Sequence, residues 1–127
     1  MTSPSTRASE PPRRVLFVED EQGLLRAYER FFAHTYDMAF AATGREARRY
    51  LKEFRPDVVV LDLHLPDADG VDVLREVRER LPDLPVVITT SYSSMQPLVE
   101  VLGLAHSGYV VKPFDLNDLA RLIDDAR

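Results

Sequence analysis

Apolar positions along this chain follow two periods in turn. Four short runs, residues 15–18, 58–61, 86–88 and 109–111, are continuous and β-branched or aromatic, the pattern of strands covered on both faces. A weaker run, YDMAFAA at 36–42, predicts a strand at a sheet edge. Between the runs apolar residues recur at helical spacing: Leu24, Tyr28, Phe31 and Phe32, then Ala47, Tyr50, Leu51 and Phe54, then Val71, Leu74, Val77 and Leu81. Each set falls on one helical face. Leu98, Val99 and Leu102 predict a fourth helix, and Leu116, Leu119 and Ile123 a last one. Thr43 with Glu46 has capping-box spacing, and Asp115 is a good N-cap for the last helix. Five β-then-α units predict an α/β fold, a doubly wound parallel sheet of five strands with helices on both faces.

In such sheets the ligand site lies beyond the carboxyl ends of the strands, where the strand order reverses. The residues that end the runs are Glu19 and Asp20, then Asp62, then Thr89 to Ser91, and finally Lys112. Parallel strands bring these carboxylates, hydroxyls and the ammonium to one edge. Asp67 and Asp69, beside Pro66 and Gly70, are read as turn and cap residues.

Two carboxylates about 4 Å apart repel by about 4 kcal/mol at the effective dielectric of a protein surface. A hard divalent cation relieves this, and Mg2+ suits a shallow site of one or two carboxylates, a carbonyl and waters. The same set suits phosphoryl transfer. Lys112 and the metal would neutralise the moving group, Thr90 would donate a hydrogen bond to it, and Asp62 would attack in line. Taken singly, an acidic pair after a strand is a solvated cap, a lone lysine is a surface lysine and a threonine is a turn hydroxyl. Their joint placement at successive strand ends is what points to one site.

Composition narrows the partners. The chain has 127 residues, enough for one domain, and no stretch long enough for a membrane span or a secretory signal; a cytoplasmic location is expected, with no membrane partner. It has no cysteine, which excludes disulfides and thiol catalysis, and His34, His64 and His106 are too scattered for a metal cage. A net charge of −5 argues against direct nucleic-acid binding by bulk charge. Residues 1–14, rich in Ser, Thr, Pro and Arg, read as a flexible tail, and residues 15–127 as the domain.

The motifs VLFVEDE, VVVLDLHLPDADG, VVITTSY and YVVKPFD resemble those of the receiver domain of bacterial two-component response regulators. The likeness covers everything but the tail. It implies a flavodoxin-like (βα)5 fold with strand order 2-1-3-4-5. Carried over by motif, Asp62 resembles the phosphoacceptor, Asp20 a direct Mg2+ ligand, and Glu19 an acid that acts on the metal mainly through water. The His64 backbone carbonyl would be a further ligand. Thr90 and Tyr109 resemble the switch pair and Lys112 the phosphate-binding lysine, followed by Pro113, whose peptide bond is typically cis in that family. His64 and Tyr92 stand at the two places that flank the path of the hydrolytic water. Departures are Glu19 for the more frequent Asp, Ser91 for Ala or Gly, Ala105-His106 for Gly-Ala, and Pro97, which predicts a late start for the fourth helix.

The expected function is a phosphorylation-dependent switch in a two-component phosphorelay, a regulatory domain that catalyses only its own phosphoryl transfer and dephosphorylation. Its donor would be the phosphohistidine of a sensor histidine kinase or phosphotransfer protein. The chain stops soon after the last helix, so a single-domain regulator with a downstream protein partner and a receiver with its own output domain are both open, as is a phosphorylation-dependent dimer. One rival is a receiver-like binding module that ignores phosphorylation. Another is a phosphatase with an aspartyl nucleophile, which would need a second Asp where His64 stands.

Overall fold

The structure, a computed structural model, describes residues 11–91 and 107–126. The apolar runs form β1 (Arg14–Val18), β2 (Asp37–Ala41), β3 (Val58–Asp62), β4 (Val86–Thr90) and β5 (Gly108–Val111). All pair in parallel, in the order β2-β1-β3-β4-β5, which is the flavodoxin-like order expected. The helical sets form α1 (Gln22–Phe31), α2 (Gly44–Glu53), α3 (Gly70–Arg80) and α4 (Leu116–Asp125). The helix expected through Leu98, Val99 and Leu102 lies outside the described residues, as do Tyr92, Pro97, Ala105, His106 and positions 1–10 of the tail.

Side-chain alternation divides the central strands between two cores. Leu16, Val18, Val59, Leu61, Val86 and Ile88 pack with Ala47, Leu74 and Val77 of α2 and α3. Val15, Phe17, Val58, Val60 and Val87 pack with Leu25 and Tyr28 of α1 and Leu119 and Ile123 of α4. Helices on both faces leave the two sheet edges running along the strand ends as the open rims. β5 departs from the expectation of cover on both faces: Tyr109 is 41% exposed and its strand neighbours are half-buried. It ends the sheet beside β4 alone among the described strands, and an edge strand is less enclosed than a central one.

Contacts with the domain begin before Val15. The Arg14 guanidinium lies 4.1 Å over the Phe54 ring, bonds the Phe54 carbonyl and pairs with Asp37 at 2.7 Å. Arg13 donates to the carbonyls of Ile123 and Ala126. Both arginines cap the last carbonyls of a helix and cover apolar surface with their stems.

Caps fix the helix starts that frame the site. Thr43 Oγ1 accepts the Glu46 N–H at 3.0 Å, while Glu46 reaches back to the Ala42 N–H at 2.8 Å. Asp69 and Asp115 cap α3 and α4 through the N–H groups of Val71 and Asn117. Asp67 caps a different helix from its own: it accepts the N–H groups of Gly44 and Arg45, at 2.7 and 3.1 Å, at the start of α2. These backbone bonds hold its carboxyl below the usual carboxylate range, so the ionised form favours the folded state. Asp67→Asn is expected to lower Tm at neutral pH. The difference from wild type should shrink as pH falls below the unfolded value of 3.8 and through the depressed folded value, where both proteins are uncharged at this position. Thermal melts at a series of pH values check this.

Candidate functional site

The carboxyl ends of β1, β3, β4 and β5 deliver the candidate residues to one place. The Glu19 N–H donates to Ala41 at 2.9 Å, which carries the ladder with β2 one residue past β1 and fixes Glu19 at the sheet rim. Its side chain is 1% exposed, as is Asp62, the last residue of β3. Asp20 is exposed. One oxygen from each of Glu19, Asp20 and Asp62 falls within 4.8 Å of the others.

Lys112 closes the group from β5. Its Nζ lies 2.8 Å from Glu19 Oε1 and 3.2 Å from Asp62 Oδ2, with the side chain mostly buried. Its N–H donates to the Thr90 carbonyl at 2.7 Å, which ties the end of β5 to the end of β4, and the Lys112–Pro113 bond is cis. The remaining carboxylate oxygens are held by backbone: Glu19 Oε2 accepts the Glu21 N–H at 3.1 Å and Asp62 Oδ1 the His64 N–H at 3.0 Å. Glu19 and Asp62 are therefore each held at both carboxylate oxygens.

One ammonium faces three carboxylates. At about 4.8 Å and the effective dielectric of a protein surface, each carboxylate pair repels by about 3 kcal/mol. Burial, opposed by the bond to Lys112 and reinforced by the charge of Asp62, pushes the Glu19 carboxyl up to about 7. Burial by itself would lower the Lys112 ammonium, but its pairs with Glu19 and Asp62 outweigh it and raise the net value. With all three acids ionised the cluster is short of positive charge by about what a divalent cation carries, and its donors are hard oxygens, one of them open to solvent. These residues fit a Mg2+-type ion.

Thr89 and Thr90 are both 1% exposed. Thr90 pairs in register with Val111, so Tyr109, two residues earlier on β5, lies on the same face of the sheet as Thr90. The Tyr109 ring is partly exposed. The two residues expected to form a switch thus share a face, one buried and one at the surface. His64 is exposed and bridges to Asp69, so the loop from Leu63 to Asp69 folds back on itself. Asp67 and Asp69 stay out of the acidic cluster and serve as caps, as their loop context predicts.

Tyr28 was legible in the sequence only as a core position of α1. It is 1% exposed, its ring stacks on Phe17 at 4.6 Å, and its hydroxyl makes no hydrogen bond among the described residues. Burial, with the charges of Glu19, Asp62 and Glu21, raises its pKa. An apolar-face tyrosine gives no sequence signal that its oxygen lies in the field of the site.

A doubly wound parallel sheet with acids, a threonine and a lysine at the carboxyl ends of its strands defines a class of α/β proteins that bind at this rim. The sequence matches the response regulator receiver domain over residues 15–124. It is 34% identical to the regulatory protein AtoC of Escherichia coli over 114 residues, 89% of this chain and 25% of that protein. It is 38% identical to the transcriptional regulatory protein TrcR of Mycobacterium tuberculosis, over 91% of this chain and 46% of that protein. The fold is similar to a response regulator receiver domain protein (CheY-like) from Methanospirillum hungatei JF-1, with a TM-score of 0.85 at 24% identity, covering 90% of this chain and 92% of that one. The chain belongs to the receiver domain family of response regulators, regulatory domains of phosphorylation-based two-component signalling. It spans a quarter to just under half of the length of these two curated relatives. No helix among the described residues is long and apolar enough to cross a membrane.

Proposed function

We propose that this domain is a switch that accepts a phosphoryl group on Asp62 from the phosphohistidine of a sensor histidine kinase or phosphotransfer protein, and then changes the surface it offers. The observation that carries this reading is the Glu19, Asp62 and Lys112 cluster, buried at the sheet rim and opened to solvent through Asp20. An Asp62 oxygen attacks phosphorus, the P–O bond forms as the P–N bond breaks, and the imidazole leaves with the electron pair.

Glu19, Asp20 and Asp62, with the His64 carbonyl, would hold Mg2+, and Lys112 binds a phosphoryl oxygen. When bound, Mg2+ supplies positive charge to the carboxylates and to the phosphoryl oxygens. Thr90 donates its hydroxyl to the phosphoryl group, and Tyr109 moves into the space Thr90 leaves. The buried position of Thr90 beside the exposed Tyr109 supports that order of events. The reading goes with a cytoplasmic domain whose output is a protein contact, its own output domain or a phosphorylation-dependent dimer. The length of the relatives favours an output domain.

Asp20 tests the metal arm. Because it is exposed, Asp20→Ala should fold with a Tm near wild type while its Mg2+ affinity falls by about ten-fold or more, about 1.4 kcal/mol. Isothermal titration calorimetry measures it, and equal affinity in the two proteins would remove Asp20 from the metal site.

A further inference from the structure

Away from the phosphoryl site, α2 and α3 enclose an open groove of about 1140 Å³. Its floor is apolar, formed by Leu51, Val73, Val77 and Leu84, and Leu81 stands at its edge 40% exposed. Pro56, before β3, and the turn before β4 line it as well, so it opens at the amino ends of the strands. Asp62 is at the other rim. The 11 residues of α3 put the groove's exposed end, at Arg80 and Leu81, about 16 Å from the start of the helix beside Asp62, while Val73 at its inner end is one turn from that start.

The groove is preformed. Arg78 donates to the carbonyls of Leu81, Pro82 and Leu84, which pins the turn that makes one wall. Arg48 and Glu76, paired at 2.7 Å, link α2 to α3 across it. A pinned wall lowers the ordering cost of binding. Its volume is at or above the upper end of small-molecule pockets, about 300–1,000 Å³, and suits a peptide segment.

Charge selects the kind of segment. Five cations line the groove, Arg48, Arg49, Lys52, Arg55 and Arg80, against Glu53, Glu76 and Asp83. Glu76 and Glu53 are already met by Arg48 and Arg49, whereas Lys52, Arg55 and Arg80 make no ion pair among the described residues. A chain of net charge −5 thus keeps a cationic rim around an apolar floor. Arg55 adds an independent observation: it has φ 53°, the left-handed position just past α2 that glycine fills without strain. An arginine stands where glycine would be more stable, and such an outlier at a groove edge points to use of the side chain.

We propose that the α2–α3 groove docks an acidic amphipathic helix of a partner protein, with apolar residues on the floor and carboxylates against Lys52, Arg55 and Arg80. Docking is independent of phosphorylation, because the groove lies at the opposite rim from Asp62. It acts as a tether that positions the domain, separate from the switch face.

The test uses the whole chain and three labelled helical peptides of about 14 residues, four turns. The first has Leu at i, i+3, i+4 and i+7 spacing with Glu elsewhere, the second replaces Glu with Lys, and the third replaces Leu with Ser. Fluorescence anisotropy should give binding of the Glu/Leu peptide about ten-fold tighter than either control, and Leu81→Asp and Arg80→Glu should each lose about ten-fold. Arg55→Gly should raise Tm by roughly 3 °C and yet weaken binding, which separates the docking role from folding. Asp62→Asn should bind as wild type, so the result stands apart from the phosphoacceptor reading. Equal binding of the Glu/Ser peptide would reduce the groove to a cationic patch. Tighter binding of the Lys/Leu peptide, no binding by any peptide, or self-association abolished by Leu81→Asp, which would give the groove to a second copy, would each overturn the proposal.

Discussion

Asp62→Asn is expected to fold normally and to take up no phosphoryl group from acetyl phosphate and Mg2+, under conditions where wild type takes up one. Folding should survive because asparagine keeps the shape of the side chain and one oxygen, which can accept the His64 N–H that Oδ1 accepts at 3.0 Å. Lys112 would still have Glu19 at 2.8 Å, so the ammonium is not stranded. Uptake should vanish because a neutral amide is not the nucleophile the transfer requires. Intact-mass spectrometry reads the adduct and a thermal melt reads the fold. Uptake at the wild-type rate in this variant would remove Asp62 from the acceptor role.

The second large effect is expected at Gly70, where the loop from the acceptor enters α3. A Cβ at this position would lie 2.4 Å from Leu63 Cα and 2.6 Å from the Asp62 carbonyl oxygen. Both are backbone atoms, so no side chain can swing away. The Gly70 N–H also donates to the Leu63 carbonyl at 2.9 Å, which holds the close approach in place. Gly70→Ala must push the loop off β3, with a loss of about 3 kcal/mol of stability from overpacking. A shift of the acceptor by about 1 Å would also slow its reaction by about 100-fold. Gly23 is the control: a Cβ there meets nothing within 4 Å, and in the first turn of α1 Gly23→Ala should stabilise by less than the helix-interior value of about 1 kcal/mol. Chemical denaturation of both variants measures the difference. Equal stability of Gly70→Ala and wild type would show that the loop can yield.

The strands at the centre of the sheet were legible because Val58 to Leu61 and Val86 to Ile88 are unbroken apolar runs, and such runs need cover on both faces. The site was legible only jointly. Glu19, Asp62 and Lys112 are commonplace alone, and the parallel-sheet rule brings them to one rim, yet no spacing in the sequence foretells a lysine 2.8 Å from one acid and 3.2 Å from the other. What stayed hidden depends on contacts between residues far apart in the chain. Asp67 looks like an ordinary turn residue, and its partners at Gly44 and Arg45 lie 23 and 22 positions away. Arg13 looks like part of a polar tail, but its partners lie 110 and 113 positions on. Tyr28 obeys the helical period as a core residue, which conceals its hydroxyl. Tyr109 looks buried because its run is apolar, and only its place on an edge strand exposes it.

The measurement that bears most directly on the central claim is the chemical mapping of the adduct. Wild-type protein is incubated with acetyl phosphate, with Mg2+ or with EDTA, then reduced with borohydride, which converts an aspartyl phosphate to homoserine. Peptide mass spectrometry then locates the change. The proposed switch predicts homoserine at position 62 alone, formed with Mg2+ and absent with EDTA. Homoserine at Asp20, Asp67 or any other acid in place of Asp62, or equal modification in EDTA, would contradict it.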